Sequence, residues 1–137
     1  MSFTNFLAAE LLDHFMNDGA YTAPTNIFVA LSSTTPTEAG GGITEPSGGS
    51  YARVSTAGTD WNAATVADPS LKDNLNAITF PTATADWVAG ANLTHFVLFD
   101  LSTGGNALAF GALTTPKPVL NGDTASFAAG ALDITLD

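Results

Sequence analysis

Apolar positions cluster unevenly along this chain. The densest run is His95-Phe-Val-Leu-Phe-Asp-Leu101, within the stretch LTHFVLFDLSTGGNALAFGAL from Leu93 to Leu113. A turn cluster, Ser102-Thr-Gly-Gly-Asn106, separates it from a second apolar run, Ala107 to Leu113. Two such runs around a short Gly/Asn segment predict a β-hairpin, because these residues tolerate the positive φ angles of tight turns. Alternation puts Val97, Phe99 and Leu101 on one face and Phe96 and Leu98 on the other. Both faces are apolar as far as Asp100, so the strand is expected to be buried on both sides, as in the centre of a sandwich. The small residues Ala107, Ala109, Gly111 and Ala112 would let a neighbouring layer approach closely.

At the N-terminus the period changes. Phe3, Leu7, Leu11 and Phe15 recur every four residues, and Ala8 and Leu12 widen the stripe. This pattern predicts a helix from Phe3 to about Asn17, capped by Ser2 or Thr4 and stopped by Asp18-Gly19. The stripe packs on the chain's own sheet or docks on a neighbouring subunit. After Ala23-Pro24-Thr25, the run from Asn26 to Leu31 predicts a strand, and Tyr51–Ser55, Ala77–Phe80 and Leu132–Leu136 predict shorter ones. Thr59 to Lys72 reads as irregular, Thr115-Pro-Lys-Pro118 as an extended break, and Asn121-Gly-Asp123 as a turn.

Between Thr34 and Ser50 lies a long loop, TTPTEAGGGITEPSGGS. Loops of this length usually carry function or are mobile, so this one is expected to be an arm that a partner orders. No repeat or internal boundary interrupts residues 1–137. The expected fold is a mainly β single domain, sandwich or jelly-roll-like, with one N-terminal α-helix.

Charge narrows the possible partners. Three Lys and Arg stand against 13 Asp and Glu, for a net charge of −10, so Arg53, Lys72 and Lys117 cannot form the basic patch that nucleic acid or an anionic membrane needs. Only 12% of residues are charged, which suits a β-rich surface largely engaged in contacts. There is no cysteine, hence no disulfide, thiolate zinc site or thiol nucleophile. No run reaches the length of a membrane-spanning helix, and Glu10, Asp13 and His14 interrupt any signal-peptide pattern. Folding in a cytoplasm is the expectation.

Candidate chemistry is sparse. Glu10 and His14, four apart on the predicted helix, form either an acid–base pair or a solvated surface pair, and the second reading is favoured because nothing places a nucleophile nearby. His95 reads as a hydrogen-bonded strand-end residue. Gly40-Gly-Gly42 and Gly48-Gly49 lack the strand–loop–helix context of a phosphate cradle. Trp61 and Trp87 read first as core or interface residues, and as an alternative they form a sugar-stacking platform that would make the chain a carbohydrate-binding module. No metal or cofactor is implied.

Several segments together carry a resemblance. They are the N-terminal LLDHF helix, AYTAPTNIFVALSSTTPTEAG, EPSGGSYARV, the hairpin HFVLFD with GGNALAFGAL, and the closing GDTASFAAGALDITLD. In this order they resemble a group of small virion proteins of tailed bacteriophages, described as tail-fibre-like or as head decoration (cement) proteins. The resemblance implies a non-enzymatic structural subunit of the virion, a homotrimer on a symmetric particle. Its first expected role is decoration of the head, stabilising the major capsid protein lattice, and its second is a small tail or tail-fibre component. The expected subunit or capsid contacts are Phe3, Leu7, Leu11 and Phe15 on the helix, with Pro36, Ile43, Pro46 and Tyr51 in the long loop and at its exit.

Overall fold

The computed structural model describes residues 1–136. In chain order its elements are β1 (Ser2–Phe3), α1 (Asn5–Phe15), β2 (Asn26–Ser32), β3 (Val54–Ala57), β4 (Ser70–Asp73), β5 (Ile78–Thr79), β6 (Leu93–Phe99), β7 (Ala107–Lys117), β8 (Ser126–Phe127) and β9 (Asp133–Leu136). A five-stranded antiparallel sheet runs β1-β7-β6-β2-β3, and two ribbons, β4-β9 and β5-β8, complete a mainly β, sandwich-like chain. The expected hairpin is its centre, with β6 as the middle strand.

Register decides which side chains share a face. Leu31 lies opposite Phe96 and Val29 opposite Leu98, so these four point the same way. They meet Ile78, Phe80, Trp87, Val119 and Leu132 in the larger core. Phe127 closes it from the ribbon side, edge-on to Phe96 at 6.3 Å between ring centroids. Ala30 opposite Val97 and Phe28 opposite Phe99 face the other way and form a smaller cluster with Ala107, covered by Ile43 and Phe110. The middle strand is buried on both sides, as its two apolar faces require.

The strand expected at Tyr51–Ser55 runs instead from Val54 to Ala57, and three further boundaries differ from the sequence expectation for a local reason. The first hairpin strand stops at Phe99, and Leu101 lies exposed in the turn. Asp100 begins that turn, and its carboxylate accepts hydrogen bonds from Asn106 N (2.7 Å) and Asn106 Nδ2 (2.9 Å). Gly105, at φ +75°, has no room for a Cβ between Asp100 and Leu101. Next, β7 passes through Pro116 to reach Lys117. Its outer neighbour β1 pairs only with Ala109 and Phe110, so the strand has an open edge by Pro116, where a missing N–H breaks no ladder bond. Finally, α1 begins at Asn5 because Ser2 and Phe3 are taken up as β1. Thr4 is the N-cap: its Oγ1 accepts from Leu7 N and donates to Ala107 O at 2.6 Å.

Strand β4 was not legible, nor were the two-residue strands β1 and β8. Ser70–Asp73 forms β4, although SLKD shows no apolar alternation. Pairing to β9 and the buried Asn74 beside it hold this ribbon. Asn74 donates to Asn76 O and Ala128 O and accepts from Ala131 N and Leu132 N, so its side-chain amide is fully used.

Candidate interaction surface

The loop between β2 and β3 folds back on itself, contrary to the expected free arm. Ser33 N donates to Thr44 O, Thr44 N to Ser32 Oγ, and Thr34 Oγ1 to Gly42 O, which brings the two ends of the segment together. Thr37 N to Gly41 O and Gly40 N to Thr37 O tighten its tip. Such backbone closure lets a stretch with little apolar content hold one shape, as in an Ω-loop. Pro36 and Pro46 are buried, and Ile43 is half-buried on the smaller cluster.

At the loop's exit a charged network pins it. β3 pairs with β2 only as far as Val54 opposite Val29, so the N–H of Leu31 has lost its strand partner. The Tyr51 hydroxyl accepts that N–H at 3.0 Å and donates to Glu45 Oε2 at 2.9 Å. Glu45 also receives Arg53 in a fork, with Nη2 to Oε1 at 2.6 Å and Nε to Oε2 at 3.1 Å. Arg53 Nη1 then donates to Leu101 O and Gly104 O at 2.8 Å each, and its guanidinium carbon lies 3.4 Å from the centroid of the Phe99 ring. Its side chain is only 8% exposed. Burial above all, with the Glu45 carboxylate adding to it, pushes the Tyr51 hydroxyl well above the ordinary tyrosine range. Tyr51 is also fixed through its ring, edge-on to Trp87 at 5.1 Å and stacked with Phe80.

The residues raised for catalysis are not assembled into a site. Glu10 and His14 lie one turn apart on α1, and among the described residues no ion pair joins them. Glu10 instead acts on Tyr21, whose pKa rises through burial first, then the charges of Asp100 and Glu10. His95 Nδ1 lies 2.8 Å from Thr94 Oγ1, and burial lowers its pKa. No group of three His, Cys, Asp or Glu side chains among the described residues is placed to hold a metal ion. No helix there is long and apolar enough to cross a membrane.

The tryptophan platform is overturned. Trp87 is 2% exposed, and its Nε1 donates to Gly49 O at 2.9 Å. A Cβ on Gly49 would come within 3.0 Å of that indole, so the ring is boxed in. Trp61 is half-buried elsewhere, donating Nε1 to Thr56 Oγ1. A buried ring offers no face for a sugar to stack on.

A groove of about 790 Å³ runs along the open edge of β7 towards β8 and β9, with Thr114, Lys117, Asp123, Phe127, Asp133 and Thr135 in its lining. Its walls mix apolar side chains such as Leu31, Phe80 and Phe96 with hydroxyl and carboxylate groups, and among the described residues neither histidine nor cysteine lines it.

Helix α1 is the anomalous element: none of its residues is buried. Phe3, Leu7 and Leu11, from the expected contact stripe, are half-buried, and Phe3 and Leu7 pack against the larger core. Phe15 is 82% exposed, with Leu12 at 63% and Met16 at 69%. Sequence periodicity found the stripe but not which flank of it the sheet covers, and it left out Met16, four residues after Leu12.

No curated protein matches the chain. One family model does, over residues 2–135, and its description is a phage fibre protein. A β-rich chain of this kind, with a tightly closed loop and an uncovered helix, belongs on that match over nearly its whole length to the family of the Podophage GP4 fiber I protein gp80.

Proposed function

We propose that this chain is a non-enzymatic subunit of a phage fibre, attached to the tail region of the virion. The family match carries this reading, since that family is one of phage fibre proteins. The head-decoration role expected from sequence therefore gives way to the tail-fibre alternative. The dispersed carboxylates and histidines and the net charge of −10 fit a structural part that works by contacts and not by chemistry. Self-association as a homotrimer, with closed symmetry, belongs to the same proposal, as does the absence of nucleic acid and membrane from its partners.

The test is to locate the chain on intact virions with gold-labelled antibodies and cryo-electron microscopy. Label at the tail or its fibres is the expected result. Label spread over the head lattice would return the decoration reading, and purified virions without the chain would overturn both.

A further inference from the structure

The uncovered flank of α1 is a continuous apolar strip. Ala8, Leu12 and Phe15 follow the i, i+4, i+7 spacing of one helix face, and Met16 extends it at i+8. Leu7 and Leu11 lie on the adjoining flank, turned towards the body of the protein. The strip therefore begins where intramolecular packing ends. Three large side chains that are each more than half exposed on one short helix form a patch of the sort that marks an interaction site.

Charge indicates what covers it. No Lys or Arg occurs before Arg53, whereas Glu10, Asp13, Asp18, Glu38 and Glu45 do. Asp13 borders the strip on the flank away from the body, Asp18 follows the helix end, and Asn5 N at the other end donates to Glu38 O, which brings that acidic residue to the helix start. A second copy offers little to match this acidic border. Its Arg53 is buried against Glu45, and its Lys72 Nζ is bonded to Asn62 O at 2.7 Å. Lys117 is the exposed cation, and it lies in the groove beside β7. Two copies meeting through this strip would bring like charges together at its border, which costs affinity and slows encounter.

We propose that α1 docks, through Ala8, Leu12, Phe15 and Met16, into an apolar groove flanked by Lys and Arg on a different protein of the particle. The proposal rests on the fibre-subunit reading above. Apolar burial supplies the affinity, and complementary charge supplies orientation and encounter rate. Attachment therefore weakens with added salt, whereas association of two chains of −10 charge would strengthen with it.

The natural absence of cysteine makes the test specific. Ala9→Cys places one thiol at the edge of the strip, and Thr103→Cys, exposed in the hairpin turn outside the strip, serves as a control. Virions grown with either variant are treated with a thiol-linked benzophenone, irradiated, and their cross-links mapped by mass spectrometry. The expected product joins position 9 to a different virion protein, at a segment containing Lys or Arg. A product joining two copies through position 9 overturns the proposal. So does a chain that is present in the virion and labelled but uncross-linked at position 9. A chain missing from wild-type virions defeats the fibre reading itself, which is a separate result. In parallel, Leu12→Ser/Phe15→Ser is expected to lower incorporation about tenfold or more while leaving Tm unchanged. Wild-type incorporation of Asp13→Lys/Asp18→Lys would overturn the basic character of the partner.

Discussion

The two faces of the central sheet are closed by different physics. On one, Val29, Leu31, Phe96 and Leu98 meet Phe80, Trp87 and Leu132 in an apolar, aromatic-rich core. On the other, a few small and apolar side chains are roofed by Ile43 of a loop, and a nearly buried arginine lies over the ring of Phe99. The first face draws on area removed from water, which is non-directional and tolerant of salt. The second depends on a geometry in which Glu45, Arg53 and Tyr51 must all be in place. The same strand can carry both because its alternate residues address them independently.

The comparison is broken most directly at Trp87. Trp87→Ala removes the largest fully buried side chain and orphans Gly49 O, and it is expected to cost about 3–5 kcal/mol, with little change between low and high salt. Chemical denaturation at two ionic strengths measures both quantities. On the other face, Arg53→Ala leaves Glu45 without its forked partner and the turn carbonyls of Leu101 and Gly104 without their donor. The expected loss is about 2–4 kcal/mol, somewhat below that of a fully buried pair because Glu45 keeps some access to water. Cleavage within residues 34–45 should rise in this variant and stay low in Trp87→Ala variants that remain folded; equal cleavage in both would erase the distinction between the faces.

The smallest effect sharpens the link between the two faces. Tyr51→Phe keeps the ring against Trp87 but leaves Leu31 N and Glu45 without the hydroxyl, for about 1–2 kcal/mol. It also changes the response to alkali. The folded-state pKa of Tyr51 lies above the ordinary value of 10.0, so its contribution is complete below about pH 10. Above that, the unfolded chain releases the proton more readily, and stability falls as pH rises. Thermal melts from pH 8 to 11 should show a steeper alkaline fall in wild type than in Tyr51→Phe. Parallel curves would mean that another group sets the alkaline limit.

Much of the scaffold was legible because its signals are local. The run around Phe96–Phe99 announced a strand buried on both sides, and Gly104-Gly105-Asn106 announced its turn. The stripe at Phe3, Leu7 and Leu11 announced α1. What escaped depends on partners far along the chain. SLKD becomes a strand only against β9, and Pro116 is tolerated only because β1 is too short to reach it. The loop from Thr34 to Ser50 read as a free arm because its fasteners are single polar atoms, Thr34 Oγ1, Ser32 Oγ and the Glu45 carboxylate, which leave no periodic trace. Trp87 read as a possible sugar platform because sequence cannot say which side of an indole is covered. The uncovered strip of α1 was half visible. Periodicity gave its spacing, and only the position of the sheet showed that Leu12, Phe15 and Met16 remain outside.

The N-cap of α1 has a consequence for the order of events during synthesis. Thr4 takes its place by donating to Ala107 O, 103 residues downstream, and the two residues before Thr4 pair with Ala109 and Phe110. A ribosome releases the helix sequence first and its anchorage only 103 residues later. Until then the helix has neither its tertiary cap nor the strand that orients it, and 11 residues alone are too few for a stable helix in water. A formed helix displaying Leu12, Phe15 and Met16 therefore waits until residues 107–110 have been made, so the exposed apolar strip and the central hairpin come into being together.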